Sequence, residues 1–105
     1  MTTENWHDVC AVTDVPEDDV IAQVVGEREI ALYEADGLFY ATDNLCTHGQ
    51  ARLSDGFLED GEIECPLHQG RFCVKSGKAM CEPLTEDVKA YPVKVLEDRI
   101  WVDLS

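Results

Sequence analysis

The sequence has 105 residues, 45% of them hydrophobic, so it is long enough for one packed core and leaves little room for a second. Its 22 Asp and Glu outnumber its 8 Lys and Arg, and the formal net charge of −14 argues against binding to nucleic acids or anionic membranes, since both require a basic face. The N-terminus lacks a basic start followed by an apolar run, and no stretch of about 18 apolar residues occurs, so we expect a cytoplasmic protein.

Alternating hydrophobicity predicts mostly β-structure, and no helical periodicity extends beyond a turn or two. In the N-terminal half, strands are predicted at Val20–Val25, 27–33 and 38–42. Gly26 and the pair Asp36-Gly37 are typical of the tight turns that would join these strands into a meander. A short helical turn is predicted at 15–19, because a proline stands early in it and acidic residues follow.

The C-terminal half shows the same pattern of short strands and tight turns. Asp60-Gly61 predicts a hairpin between Phe57–Glu59 and Glu62–Glu64, and Ser76-Gly77 predicts another turn. A last hairpin is predicted in the segment YPVKVLEDRIWVDLS, where apolar residues alternate with polar ones on both arms. The whole chain is therefore predicted to be all-β.

Two pairs of residues have the chemistry of metal ligands: Cys46 with His48, and Cys65 with His68. Between His48 and Cys65 lie 16 residues, and the hairpin predicted at Asp60-Gly61 would fold back so that the two pairs face each other. Thiolate and imidazole suit zinc, or iron held with sulfide, and do not suit magnesium or calcium. These four residues are therefore the candidate metal ligands.

Three interpretations of the pairs are open from the residues alone. The first, buried cysteines beside incidental histidines, leaves the paired spacing unexplained. The second is a structural zinc site, in which paired ligands usually have about two to four residues between them. A single residue separates Cys46 from His48, which is awkward for zinc. The third is a [2Fe-2S] cluster with two cysteines on one iron and two histidines on the other.

The spacing C-x-H, 16 residues, C-x-x-H resembles the signature of Rieske iron–sulfur proteins. Most of the chain is similar to the small Rieske ferredoxins of bacterial aromatic-ring-hydroxylating dioxygenase systems, the naphthalene dioxygenase type in particular. The similar segments are ALYEADGLFYATDNLCTHG, ECPLHQGRF, SGKAMCEP and YPVKVLEDRIWVDLS. The resemblance implies a single Rieske domain over 1–105 with the Rieske fold. In that fold an antiparallel, sandwich-like β base from 1–43 and 83–105 carries a cluster-binding subdomain of two ligand loops at about 44–82.

By this resemblance, Cys46 and Cys65 would hold the inner iron of one Rieske [2Fe-2S] cluster, and His48 and His68 would hold the outer iron. The implied function is that of a one-electron carrier and not of an enzyme. A monomeric ferredoxin would take electrons from a flavin-dependent NAD(P)H:ferredoxin reductase and deliver them to a terminal oxygenase of aromatic hydrocarbon catabolism. The sequence contains no nucleotide fingerprint or phosphate-binding loop, which favours a carrier. Two alternatives stay open: a zinc-stabilised interaction module, and a Rieske subunit of another oxidoreductase such as nitrite reductase.

The resemblance also implies a low reduction potential. High-potential Rieske proteins carry an additional cysteine in each cluster loop, joined as a disulfide, and the matching positions here are Ala51 and Leu67. They also have serine and tyrosine hydroxyls that donate hydrogen bonds to cluster sulfur, where this chain has Gly70 and Phe72. Each lost donor leaves the reduced cluster less stabilised, so we expect a potential toward the low end of a range of roughly −150 to +300 mV.

Residues outside the ligand pairs carry two further predictions. Cys10, Cys73 and Cys81 are expected to be small, buried or half-buried hydrophobic residues. The residues beside the ligand pairs are less acidic than the rest of the chain, which predicts a small neutral docking interface within an acidic surface. These residues are Gln50, Ala51, Arg52, Pro66, Leu67, Gln69 and Arg71.

Overall fold

A computed structural model describes residues 4–47, 51–66, 70–80 and 86–105, and it confirms the predicted all-β fold. The described strands are β1 (Trp6–Ala11), β2 (Val20–Val25), β3 (Arg28–Ala35), β4 (Leu38–Asp43), β5 (Phe57–Glu59), β6 (Glu62–Glu64), β7 (Arg71–Cys73), β8 (Ala90–Tyr91), β9 (Val93–Leu96) and β10 (Arg99–Asp103). They form three antiparallel sheets with the strand orders β1-β10-β9, β2-β3-β4-β8 and β5-β6-β7.

Both Asp-Gly hairpins form as the sequence predicts. Strands β3 and β4 are joined at Asp36-Gly37, where φ is 54° and 81°, and β5 and β6 at Asp60-Gly61, where φ is 53° and 76°. Positive φ at both central residues is what a type I′ turn requires, and aspartate and glycine tolerate it. The last hairpin, between β9 and β10, turns at Glu97-Asp98 with φ of 50° and 65°. Because Glu97 has no preference for this conformation, pairing of the flanking strands is what selects the turn.

Strand β1 lies outside the predicted strands, and its irregular pairing explains why. It pairs with β10, but the register shifts between Asp8 and Cys10. Such a bulge places one extra residue in the strand and interrupts the period-two alternation of polar and apolar side chains. The alternation on which strand prediction depends is therefore broken in the middle of this six-residue strand.

The helical turn predicted at 15–19 is wrong. Asp18 has a φ of 51°, which lies outside the right-handed helical region. A 3-10 turn forms just before it, at Val12–Asp14, where the Asp14 carboxylate accepts the Ala11 N–H at 3.0 Å. A second 3-10 turn spans Leu53–Asp55. Among the described residues, no helix has the length and hydrophobicity needed to cross a bilayer.

The four-stranded sheet is the middle of three layers, and β3 contributes to a core on each of its faces. Its consecutive residues Ile30, Ala31, Leu32 and Tyr33 are all fully buried, because alternate side chains point to opposite faces. The core shared with the β5-β6-β7 side comprises Val20, Ala31, Tyr33, Cys46, Leu53, Ile63, Cys65, Phe72, Val74 and Val88. The core shared with the β1-β10-β9 side comprises Cys10, Val15, Val25, Ile30, Leu32, Ala41, Tyr91, Ile100, Val102 and Leu104.

Tyr91 anchors the C-terminal end of β4 to the rest of the base. Its hydroxyl donates to the Asp43 carboxylate and accepts from the Arg28 guanidinium at 3.4 Å, and Arg28 also donates to the backbone oxygen of Leu104 at 3.1 Å. Burial, followed by the hydrogen bond to Asp43, raises the pKa of Tyr91 to about 12. The hydroxyl therefore stays protonated throughout the physiological pH range.

We expect the free energy of unfolding to fall as the pH rises above about 10. A tyrosine in the unfolded chain ionises near pH 10, at about its reference pKa, whereas Tyr91 in the folded protein keeps its proton up to a pKa of about 12. Between these values the unfolded state binds fewer protons, so stability is lost with rising pH. Burial also raises the pKa of Tyr33, which adds to the loss. Urea unfolding at several pH values should show a shallower fall for Tyr91→Phe than for the wild type, and equal slopes would contradict the assignment.

Candidate metal centre

The structure places two of the four predicted ligands, Cys46 and Cys65, and both are buried, with 2% and 0% of their surface exposed. Cys46 lies three residues beyond the end of β4, and Cys65 directly follows β6. His48 and His68 lie outside the described residues.

Two backbone hydrogen bonds join the outgoing and returning arms of the first loop. The N–H of Leu53 donates to the carbonyl of Asn44 at 2.7 Å, and the N–H of Cys46 donates to the carbonyl of Ala51 at 2.9 Å. The residues between these two arms, 48–50, include the first predicted histidine and lie outside the described residues.

The second loop is closed in the same way, at the end of a regular strand pair. Glu64 of β6 is paired with Arg71 of β7, and the N–H of Cys65 donates to the carbonyl of Gly70 at 2.7 Å. Residues 67–69, which include the second predicted histidine, lie outside the described residues. In the described part of the chain, each cysteine therefore occupies the same position, the last residue of the outgoing arm that is bonded to the returning arm.

Both cysteines belong to one buried cluster, in which apolar residues such as Leu53, Ile63 and Phe72 surround them. Two thiols held in a dry, apolar environment suit a soft metal or an iron–sulfur cluster, which thiolate ligands favour. The described residues contain no group of three or more His, Cys, Asp or Glu that could hold a metal ion. The two thiols fit one half of the predicted ligand set.

The charged side chains at the base of the loops are paired with one another. Arg52 Nε lies 3.1 Å from Glu29 Oε1, and the Arg71 guanidinium lies 3.2 Å from Glu64 Oε1 and 3.8 Å from Glu62 Oε1. Partly exposed ion pairs of this kind contribute at most about 1 kcal/mol each. Because each arginine faces a carboxylate, the loop bases do not form a basic patch, and the acidic composition of the chain dominates its surface.

Three residues next to the two loops, Leu45, Phe57 and Met80, have exposed apolar side chains, and this set is here called the apolar rim. These side chains are 58%, 68% and 47% exposed. Leu45 directly precedes Cys46, and Phe57 is paired with Glu64, the residue before Cys65. The N–H of Met80 donates to the carbonyl of Arg71, the first residue of β7, at 2.8 Å. Sequence patterning did not identify this rim, because a phenylalanine or a leucine in a strand-like segment is equally typical of a buried position.

Two polar residues of the first loop were also missed. Asn44, two residues before Cys46, is fully buried. The hydroxyl of Thr47 donates to the backbone oxygen of Glu86 at 2.8 Å. This bond connects the first loop to the segment that leads into β8. Their sequence signal, an asparagine and a threonine near a turn, is too common to single them out.

The remaining described cysteines confirm the predictions made for them. Cys10 is buried in the core shared with the β1-β10-β9 side, and burial raises the pKa of its thiol. Cys73 is half-buried, and a hydrogen bond with the Ser76 side chain lowers the pKa of its thiol. Cys81 lies outside the described residues.

Comparison with known proteins gives consistent matches across the chain. The model of the Rieske [2Fe-2S] domain family matches residues 5–92. Over 103 residues, 98% of this chain and 99% of the relative, the sequence is 60% identical to the ferredoxin component of the naphthalene 1,2-dioxygenase/salicylate 5-hydroxylase systems of Ralstonia sp.. The solved ferredoxin of Sphingomonas yanoikuyae B1 superposes with a TM-score of 0.90 at 35% identity, covering 96% of this chain and 100% of that one. A chain from the complex of reduced oxygenase and oxidised ferredoxin in carbazole 1,9a-dioxygenase superposes with a TM-score of 0.86 at 37% identity, covering 93% and 92%.

Proposed function

Because this chain belongs to the Rieske [2Fe-2S] domain family, we propose that it carries single electrons from a flavin-dependent NAD(P)H:ferredoxin reductase to a terminal aromatic-ring-hydroxylating oxygenase. Like the ferredoxin components to which it is similar, it transfers electrons and is not itself an enzyme. The observation that carries the proposal is the pair of buried thiols, presented from matching positions of two loops into one core.

The proposed ligands are Cys46 and Cys65 on the inner iron, and His48 and His68 on the outer iron. When bound, a Rieske [2Fe-2S] cluster accepts and returns one electron. The chain's own contribution is to fix the two thiols through the backbone bonds to Ala51 and Gly70 and to keep water away from them by burial. The two loops would supply the histidines.

The surroundings of the thiols support a low reduction potential. Phe72 is fully buried in the same cluster as both cysteines, and it has no hydroxyl to donate. Gly70 is buried and has no side chain. Without hydroxyl donors at these two positions, the additional negative charge of the reduced cluster is less stabilised, which lowers the potential.

The apolar rim is proposed as the contact surface for the oxygenase. Transient electron-transfer complexes bury small areas, so a few exposed apolar side chains beside the cluster suffice for close approach. The acidic remainder of the surface would steer the carrier toward basic patches on its partners. We further propose a cytoplasmic monomer, because the carrier has to leave one partner before it meets the other.

Leu45→Lys is expected to lower oxygenase turnover about tenfold at limiting ferredoxin, because loss of an apolar contact in a small interface costs roughly 1–2 kcal/mol. The assay combines NADH, a flavin-dependent ferredoxin reductase and naphthalene 1,2-dioxygenase with the purified holoprotein. Leu38→Lys is the matched control, since Leu38 is 59% exposed at the far end of β4 and the change in charge is identical.

The two variants should keep the same iron and sulfide content and the same electron paramagnetic resonance signal after reduction. Equal turnover of the two variants would remove the apolar rim from the docking surface. A wild-type protein that contains zinc and no sulfide would overturn the carrier function itself and favour a structural metal site.

A further inference from the structure

Asn44 is a buried polar residue whose hydrogen-bonding groups are engaged at the base of the first ligand loop. Its side-chain Nδ2 donates to Glu29 Oε1 and to Ser54 Oγ, both at 3.0 Å, and its Oδ1 accepts the Ser54 N–H at 2.8 Å. Its backbone N–H donates to the carbonyl of Glu29 at 3.2 Å, and its carbonyl accepts the Leu53 N–H at 2.7 Å. A fully buried amide is stable only when its donors and acceptor are satisfied in this way.

These bonds join three segments that are separate in the sequence. Glu29 lies near the start of β3, Asn44 directly follows β4, and Ser54 lies in the 3-10 turn Leu53–Asp55. The network reaches the surface through Arg52, whose Nε is 3.1 Å from the same Glu29 oxygen that accepts from Asn44. One side chain thus holds the outgoing and returning arms of the loop against the middle sheet.

The two ligand loops differ in what supports them. The second loop extends a regular pair of three-residue strands, β6 and β7, with an ion pair across it. The returning arm of the first loop forms only an isolated bridge, between Leu45 and Arg52, before the 3-10 turn begins. The hydrogen bonds of the Asn44 side chain hold the first loop where backbone pairing between two strands holds the second.

We propose that Asn44 is a positioning residue for the cluster: its bonds to Ser54 and Glu29 fix the loop that presents Cys46. The inference rests on the proposed function, in which Cys46 is a ligand. Cys46 is the second residue beyond Asn44, and its closing bond to Ala51 follows directly on the bridge that Asn44 supports. Without the amide, the two arms of the loop lose their common anchor while the second loop keeps its strands.

The test is the rate at which the holoprotein loses its visible cluster absorbance in the presence of an iron chelator. Removal of an outer residue that orients a ligand typically weakens metal retention about 10- to 100-fold, and we expect Asn44→Ala to lose its cluster faster by that factor. The electron paramagnetic resonance lines of the reduced variant should also broaden, because Cys46 is held less uniformly.

Asp103→Ala is the matched control. Asp103 is also buried, and its Oδ1 accepts the backbone N–H groups of Asn5 and Ser105, both at 2.9 Å, but it lies in β10. This variant should be destabilised toward urea while its rate of cluster loss and its spectrum stay at the wild-type values. Equal acceleration in the control and in Asn44→Ala would mean that cluster loss only reports global unfolding, and would overturn the proposal.

If Asn44→Ala does not fold, two variants of Glu29 test whether the Asn44 network positions the first loop. Glu29→Gln keeps a side-chain oxygen that can accept from Asn44, and should retain the cluster like the wild type. Glu29→Ala removes that acceptor and should lose the cluster several-fold faster. A wild-type rate of cluster loss in Asn44→Ala, or in Glu29→Ala where Asn44→Ala does not fold, would overturn the positioning role. A wild-type protein without iron and sulfide would overturn the proposed function, and this inference with it.

Discussion

Cys46→Ser and Cys65→Ser are each expected to give a protein without a cluster, with its iron content falling from about two atoms per chain to near zero. A serine hydroxyl is a harder and far less acidic ligand than a thiol, so it does not replace a thiolate on the inner iron. Both positions are buried, and residues 47–50 and 66–69 contain no other cysteine that could supply a substitute thiol. Loss of the brown colour, of acid-labile sulfide and of the reduced-state resonance signal should coincide.

Cys10→Ser and Cys73→Ser are the matched controls. Cys10 is 5% exposed, nearly as buried as Cys46, but it lies in the other core, and Cys73 is only half-buried. Both variants should keep full iron and sulfide. If Cys10→Ser also lost the cluster, the effect would have to be assigned to folding, and if Cys46→Ser kept it with an unchanged signal, Cys46 would not be a ligand.

Gly56→Ala is expected to lower the free energy of unfolding by about 3 kcal/mol and to reduce cluster incorporation. A Cβ at this position would overlap the carbonyl oxygen of Glu64 and lie 3.1 Å from its carbonyl carbon. The backbone at Gly56, with φ of −92°, is open to any residue, so the overlap alone sets the cost. Both of these atoms are backbone atoms of the residue before Cys65, so relief of the overlap has to displace the second ligand loop.

Gly26→Ala separates this overlap from the general cost of replacing a glycine. No atom lies within 4 Å of a Cβ at Gly26, but its φ of 63° is left-handed and costs an alanine about 1–2 kcal/mol. Urea unfolding should therefore show a loss for both variants, and iron analysis should show a loss only for Gly56→Ala. A wild-type unfolding midpoint and iron content in Gly56→Ala would contradict the predicted overlap.

Sequence patterning located most strands because their signals are local. An Asp-Gly pair adopts the two positive φ values of a type I′ turn, so the hairpins at Asp36-Gly37 and Asp60-Gly61 could be predicted without knowledge of the rest of the chain. The bulge in β1 removed the alternation on which such predictions depend. The left-handed φ of Asp18 excludes the predicted helical turn. The composition of that segment gives no sign of this left-handed conformation.

Of the candidate site, the sequence predicted the ligands but not the residues that support their loops. The spacing of Cys46, His48, Cys65 and His68 identified the candidate ligands, but the choice between zinc and an iron–sulfur cluster depended on resemblance to a family and not on the spacing. The support of the first loop could not be predicted at all. Asn44 is buried only because partners from β3 and from the 3-10 turn meet it, and residue type gives no sign of such long-range hydrogen bonds.

Strand β3 has a consequence for how the molecule opens. Its residues alternate between two cores, so release of this one strand exposes both cores at once. The half of the chain around the ligand loops and the half formed by the first and last strands therefore melt as one cooperative unit. For an electron carrier, this coupling holds the sheets together between encounters, so loss of the cluster has to begin in the cysteine-bearing loops and not in the layers beneath them.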